Sequence, residues 1–208
     1  MCTILSGVAT ANERLGAAGI RIDARRLEPA LRTECTRLAR VLQQRGCRVL
    51  GLVPAADDVA VPAVALQLGV GLVEVTGSPV GVVDAYGTWP GTAAGEAPKV
   101  SARPDPSLFA TSWLIDNLAF LAPRAIDVGA MLLRLDAALH AEAQVFQHLV
   151  IDMTGFDHLG EHLAAMALLD GVIVLARAGR TTVPELVRWM RDIPEEKNLG
   201  VLLAGTRL

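Results

Sequence analysis

Lysine is almost absent from this chain: Lys99 and Lys197 are the only two in 208 residues, and neither lies in a glycine-rich stretch. Tyrosine occurs once, as Tyr86. Cysteine occurs three times, at Cys2, Cys35 and Cys47, an odd number without a C-x-x-C spacing. That pattern supports neither a disulfide framework nor a zinc site, and it suits a reducing compartment. No segment runs to about 18 uninterrupted apolar residues, the length a membrane-spanning helix needs. The longest approach, "MALLDGVIVLARAG", is broken by Asp170 and Arg177. The first residues, "MCTILSGVATANERLG", have no basic leader and only a broken apolar run, so a secretory signal is not expected and a cytoplasmic location is. A net charge of -3 supplies no cationic footprint for nucleic acid, which is not expected as a partner. What is present is a normal globular composition, 52% hydrophobic and 20% charged, enough for one folded domain over residues 1–208.

Short runs of valine, isoleucine and leucine recur between helical stretches. They are 48–55, 79–85, 117–123, 148–155, 171–178 and 198–205, and each is apolar on both faces. Strands of that kind lie inside parallel sheets covered by helices on both sides. The expected fold class is therefore α/β, a doubly wound, mostly parallel sheet. The intervening stretches have helical periodicity. "EPALRTECTRLARVLQQRG" sets Leu31, Leu38, Val41 and Leu42 near one stripe and ends at Gly46, a natural helix stop. Residues 127–146 repeat the pattern, and "TTVPELVRWMRDI" offers Thr181 or Thr182 as N-cap with Pro184 in the first turn. Residues 1–46 form an N-terminal segment and helix, and 87–107, rich in proline and glycine, reads as a surface loop. Trp89 on that loop is either an interaction anchor or a lid over the sheet.

The first strand leads into "PAADDVAVPA" and then a helix. A phosphate-binding loop at such a place uses small residues so that backbone N–H groups reach the phosphates, a lysine for the β/γ oxygens, and a Ser/Thr for magnesium. Here no glycine lies between Pro54 and Leu68, no lysine is at hand, and Asp57 and Asp58 would face phosphate with like charge. Pro62 removes a further backbone donor. No G-x-G-x-x-G follows the strand, which argues against a dinucleotide enzyme. His158 and His162 stand four apart, as metal ligands on a helix do, but no third ligand is placed by the sequence, and no metal site is expected. Cys35 and Cys47 read as buried small hydrophobes.

The order "HLVIDMTG…LDGVIVLARAGRTTVPELVRWMRDI…NLGVLLAG" resembles the C-terminal half of the MinD/ParA-type P-loop ATPases, and most closely the bacterial tyrosine kinases (BY-kinases) of capsule and exopolysaccharide systems. Asp152 stands where that family has its Walker B aspartate. "VVDAYG" is similar to its "LLVDADLR" strand end, with Asp84 on the first aspartate and Tyr86 in place of the second. "ECTRLAR" fits the E-x2-R-x2-R motif on Glu34, Arg37 and Arg40, which in the family mediates ring-like self-association. On their own these three residues equally suit a solvated helix face with a weak i,i+3 ion pair. The resemblance spans about residues 28–205, and 171–182 is its most specific part.

The same resemblance makes the departures informative. The lysine-bearing loop is missing, the family's asparagine after the last strand is replaced by Ala204 or Gly205, and there is no tyrosine-rich tail within these residues. Asp84 and Asp152 suit a hard cation as a pair, yet without a shared phosphate the simpler expectation is that both hydrogen-bond loop backbone. The resemblance thus implies a degenerate relative that no longer uses ATP or magnesium and acts as a scaffold or regulatory partner. Its expected setting is polysaccharide synthesis or export, or another cell-envelope machine, at the inner membrane through a polysaccharide co-polymerase or other envelope protein, with self-association through Glu34, Arg37 and Arg40. The alternative is an active ATPase or tyrosine autokinase with an unorthodox site, Asp84 and Asp152 holding magnesium and a Lys or Arg arriving from a partner subunit.

Overall fold

The computed structural model describes residues 29–89, 109–123, 131–157 and 160–204. Helix α1 (Pro29–Arg45) leads into β1 (Val49–Pro54), α2 (Val61–Thr76) and β2 (Val80–Asp84). Then come β3 (Phe109–Ile115), β4 (Leu118–Pro123), α3 (Met131–Glu142) and β5 (His148–Asp152). The chain continues through α4 (His162–Ala167), β6 (Gly171–Arg177), α5 (Val183–Asp192), a 3-10 turn at Glu195–Lys197 and β7 (Asn198–Ala204). The strands form one sheet of seven in the order β3-β4-β2-β5-β1-β6-β7. All pairings are parallel except β3 with β4, a tight hairpin at one edge.

The burial of the strands explains the pairing. Every residue of β2 and β5 is buried, as are four of the six in β1 and six of the seven in β6. A strand buried on both faces must be covered on both faces. One face carries α1 and α2, where Cys35, Ala39 and Leu42 back onto Val64 and Leu68, and these onto Leu52, Val82 and Val150. The other carries α3, α4 and α5, where Leu135, Leu139, Met166 and Trp189 pack over Val53, Val83, Ile151 and Val174. Gly71 lets α1 and α2 approach closely, since a Cβ there would stand 3.2 Å from the Cys35 carbonyl oxygen. Gly46 closes α1 at a positive φ of 66°, the stop its position suggests.

All six expected strands are present, and the sheet is the doubly wound one. The seventh, β3, was not expected. Helix α5 begins at Thr182, whose backbone N–H donates to Glu185 Oε2 at 2.7 Å in a capping box. Cys35 and Cys47 are buried, and burial pushes both thiols up to about 12, so they act as small hydrophobes. His158 and Lys99 lie outside the described residues, and His162 opens α4, so no paired-histidine face is described. Among the described residues no helix is long and apolar enough to cross a membrane.

Candidate functional site

Parallel strands all point their carboxyl ends the same way, and at that end of the sheet the four sequence-predicted aspartates gather in two groups. Asp84 ends β2 and Asp152 ends β5, and the two are register partners. Both are buried, at 0% and 2% exposure. Two carboxylates out of water and side by side are costly unless donors surround them. The donors come from two short turns. Asp84 Oδ1 accepts from the Thr88 backbone N–H at 2.9 Å, and Oδ2 from the Trp89 N–H at 3.0 Å. Asp152 Oδ1 accepts from the Thr154 N–H at 2.8 Å and from the Thr154 hydroxyl, while Oδ2 accepts from the Trp89 indole Nε1–H at 2.7 Å. Each of the four oxygens thus has a donor. Burial, opposed by these bonds and assisted by the Asp84 charge, pushes Asp152 up to about 6.

Of the two readings of Trp89, interaction anchor or lid over the sheet, its burial corrects the first and agrees with the second. It is 2% exposed, stacked on Phe120 with ring centroids 4.8 Å apart, and its polar edge reaches back to Asp152. The start of the expected surface loop turns inward because an indole supplies both a large apolar face and one N–H donor. Residues 90–107 of that loop lie outside the described residues.

The second group is open. Asp57 and Asp58 are exposed on the loop between β1 and α2. Asp58 Oδ2 is held by Arg177 Nη1 at 2.8 Å, from the end of β6, with Arg180 Nη1, from the turn that follows, at 3.9 Å. Three amides of this stretch are already engaged: Ala55 N–H donates to Leu175 O, Val59 N–H to Ala56 O and Val61 N–H to Val59 O. A phosphate cradle needs such groups pointing outward. Magnesium at Asp84 and Asp152 would have to compete with the indole, three backbone donors and the Thr154 hydroxyl. The residues present do not fit a Mg-nucleotide, and among the described residues no group of three or more metal-ligating side chains is assembled.

Glu34, Arg37 and Arg40 lie far along the chain from these carboxylates, on α1. Arg37 Nε bonds Glu34 Oε2 at 2.8 Å, and Arg37 and Arg40 are exposed. Sequence reading did not single out Tyr86 OH, which donates to Glu161 Oε2 at 2.8 Å, or Thr88 and Thr154. The signal for the threonines is their place two and four residues after a strand-ending aspartate, where a hydroxyl and an amide close an Asx-type turn.

A mostly parallel sheet of this order, helices on both faces, strand-ending aspartates on β2 and β5 and a loop-to-helix turn after β1 define a P-loop NTPase-like α/β fold, of the type seen in BY-kinases and ParA/MinD ATPases. No family model and no curated protein sequence matches the chain. Solved structures do. The BceF tyrosine kinase domain is 18% identical with a TM-score of 0.63, over 84% of this chain and 76% of that one. The kinase domain of the Escherichia coli tyrosine kinase ETK is 14% identical with a TM-score of 0.63, over 86% and 76%. A ParA family ATPase from Chlorobium tepidum TLS is 16% identical with a TM-score of 0.52, over 77% and 74%. At these identities the likeness establishes the fold.

Proposed function

We propose that this chain is a P-loop-type fold that has given up nucleotide hydrolysis and works as a binding or scaffolding partner. The observation that carries the reading is Trp89. Its indole and backbone, with Thr88 and Thr154, take up the two carboxylates that would otherwise hold magnesium. The lack of a lysine or glycine in the 55–60 loop, and the seating of Asp58 on Arg177, support it from the phosphate side. The resemblance of the 148–205 sequence to the BY-kinases supports, as the setting, polysaccharide synthesis or export or another cell-envelope machine, at the cytoplasmic face of the inner membrane through a protein partner. Exposed Arg37 and Arg40 on α1 are the self-association or partner surface.

Isothermal titration with ATP and ADP, with and without magnesium up to millimolar concentration, tests the reading. The expected result is no saturable heat. Magnesium-dependent binding that disappears in Asp152→Ala would overturn it in favour of an active ATPase or autokinase.

A further inference from the structure

Eight large hydrophobic side chains are exposed among the described residues, and five of them lie at one edge of the sheet: Val183, Val187 and Met190 on α5, Val201 and Leu203 on β7. Exposed apolar residues scattered singly are ordinary, whereas a set gathered on adjoining elements marks an interaction surface. The three on α5 recur at i, i+4 and i+7 and so form one stripe of the helix. Asn198 Nδ2 stands 3.6 Å from Met190 Sδ, which sets that stripe beside the start of β7. Val201 and Leu203 are register partners of Val174 and Ala176, which face α5, so their side chains rise on the same face.

The backbone of β7 is open at the same place, because this strand ends the sheet. Ala204 O accepts from the Ala178 N–H, which turns Ala204, and with it Leu202, toward β6. The N–H and C=O groups of Val201 and Leu203 therefore point out of the edge. Edge strands usually refuse another strand with charge, proline or a bulge. Residues 198–204 hold neither charge nor proline. The irregularity near Gly200, at a φ of 101°, leaves Val201–Ala204 in unbroken register with β6.

We propose that β7 pairs with β7 of a second copy of this chain, antiparallel and centred on Leu202, with α5 of each copy flanking the seam. The spacing of the free groups selects that occupant. With the two Leu202 residues opposite each other, Val201 of one copy stands opposite Leu203 of the other, and each such pair exchanges two hydrogen bonds. All four outward groups of each copy are then used. A two-fold axis normal to the sheet keeps the four side chains on the α5 face, an apolar floor between two apolar stripes. Charge selects the direction. Glu195 and Glu196, exposed just before β7, lie at opposite ends of an antiparallel seam, whereas a parallel seam would set them side by side. Helix α5 and β7 supply 10 and 7 residues, close to the roughly 20 a side of a standard specific interface. The inference goes beyond the function proposed above and holds whether or not a nucleotide binds.

Sedimentation velocity and amide exchange of the full chain over a range of concentrations test it. Wild type is expected to dimerise reversibly as concentration rises, and the Val201 and Leu203 amides to exchange more slowly in the dimer. Leu203→Lys and Val201→Glu, both at exposed positions, should each weaken dimerisation roughly tenfold or more. The double variant Leu203→Lys/Val201→Glu should dimerise better than either, because position 201 of one copy faces position 203 of the other. A wild type that stays monomeric overturns the proposal, as do single variants that dimerise like wild type. A double variant no better than the single ones overturns the antiparallel register. A dimer lost in Arg37→Ala/Arg40→Ala and kept in Leu203→Lys places self-association on α1 and overturns this surface alone. Binding of Mg-ATP would overturn the loss-of-nucleotide reading and leave this one standing.

Discussion

Two pairs of aspartates stand at one end of the sheet and have opposite fates. Asp84 and Asp152 are sealed in the core and given a donor for every oxygen. Asp57 and Asp58 are exposed, one bonded to arginines across the loop and the other unpaired among the described residues. The difference lies in what each pair contributes to stability. A buried carboxylate is bound into the fold by its donors, and removing one leaves a charge without water or partner. An exposed ion pair is screened by solvent and adds little.

The largest test of that contrast is Trp89→Ala. It removes a side chain buried to 2% exposure, its stacking on Phe120 and the indole donor to Asp152. Unfolding by urea should show a loss of about 4 kcal/mol. A loss under about 1 kcal/mol would break the contrast.

Next is the pH dependence of Asp152, whose ordinary value of 3.8 rises to about 6 through burial. The folded chain then holds a proton between those values that the unfolded chain has released. The stabilisation from this group is fully present below about pH 4 and is lost as pH rises through about 6. Asp152→Asn keeps an acceptor for the indole and should flatten that slope, leaving the variant up to about 3 kcal/mol more stable than wild type relative to their difference at acid pH. Parallel stability curves from pH 4 to 8 would show that Asp152 does not titrate this way.

Smaller still is Asp58→Ala, which breaks the pair with Arg177 but on a half-exposed loop. Thermal denaturation should register about 0.5 kcal/mol or less. The double variant Arg37→Ala/Arg40→Ala should change stability by only a few tenths of a kcal/mol. Its mass by light scattering, or its capture of a partner, is where an effect is expected, and an unchanged value in both removes α1 from the interaction surface.

Much of this architecture was legible because buried parallel strands are written as unbroken apolar runs. Residues 80–84, 148–152 and 171–177 are such runs, and their strands lie where those runs lie. Strand β3 escaped notice for the opposite reason: "FATSWLI" has Thr111 and Ser112 at its centre, Trp113 is 44% exposed, and the strand lies at the sheet edge. An edge strand needs no continuous apolar code. At the site, Asp84 and Asp152 could be found from their position at strand ends. The engagement of Trp89 could not, because a tryptophan between proline and glycine residues carries the same local signal whether it faces solvent or the core. Only the register that sets Asp84 beside Asp152 lets one residue, five after Asp84, donate its backbone N–H to Asp84 and its indole N–H to Asp152.

The indole bridge also bears on how this chain tolerates substitution. A lysine placed in the 55–60 loop would leave Asp152 bonded to Trp89, and removal of the Trp89 side chain would open a hole beside Phe120. Trp89 thus joins two things that are separate in most cores, the filling of space beside Phe120 and the satisfaction of a buried carboxylate, so that neither can be altered without the other.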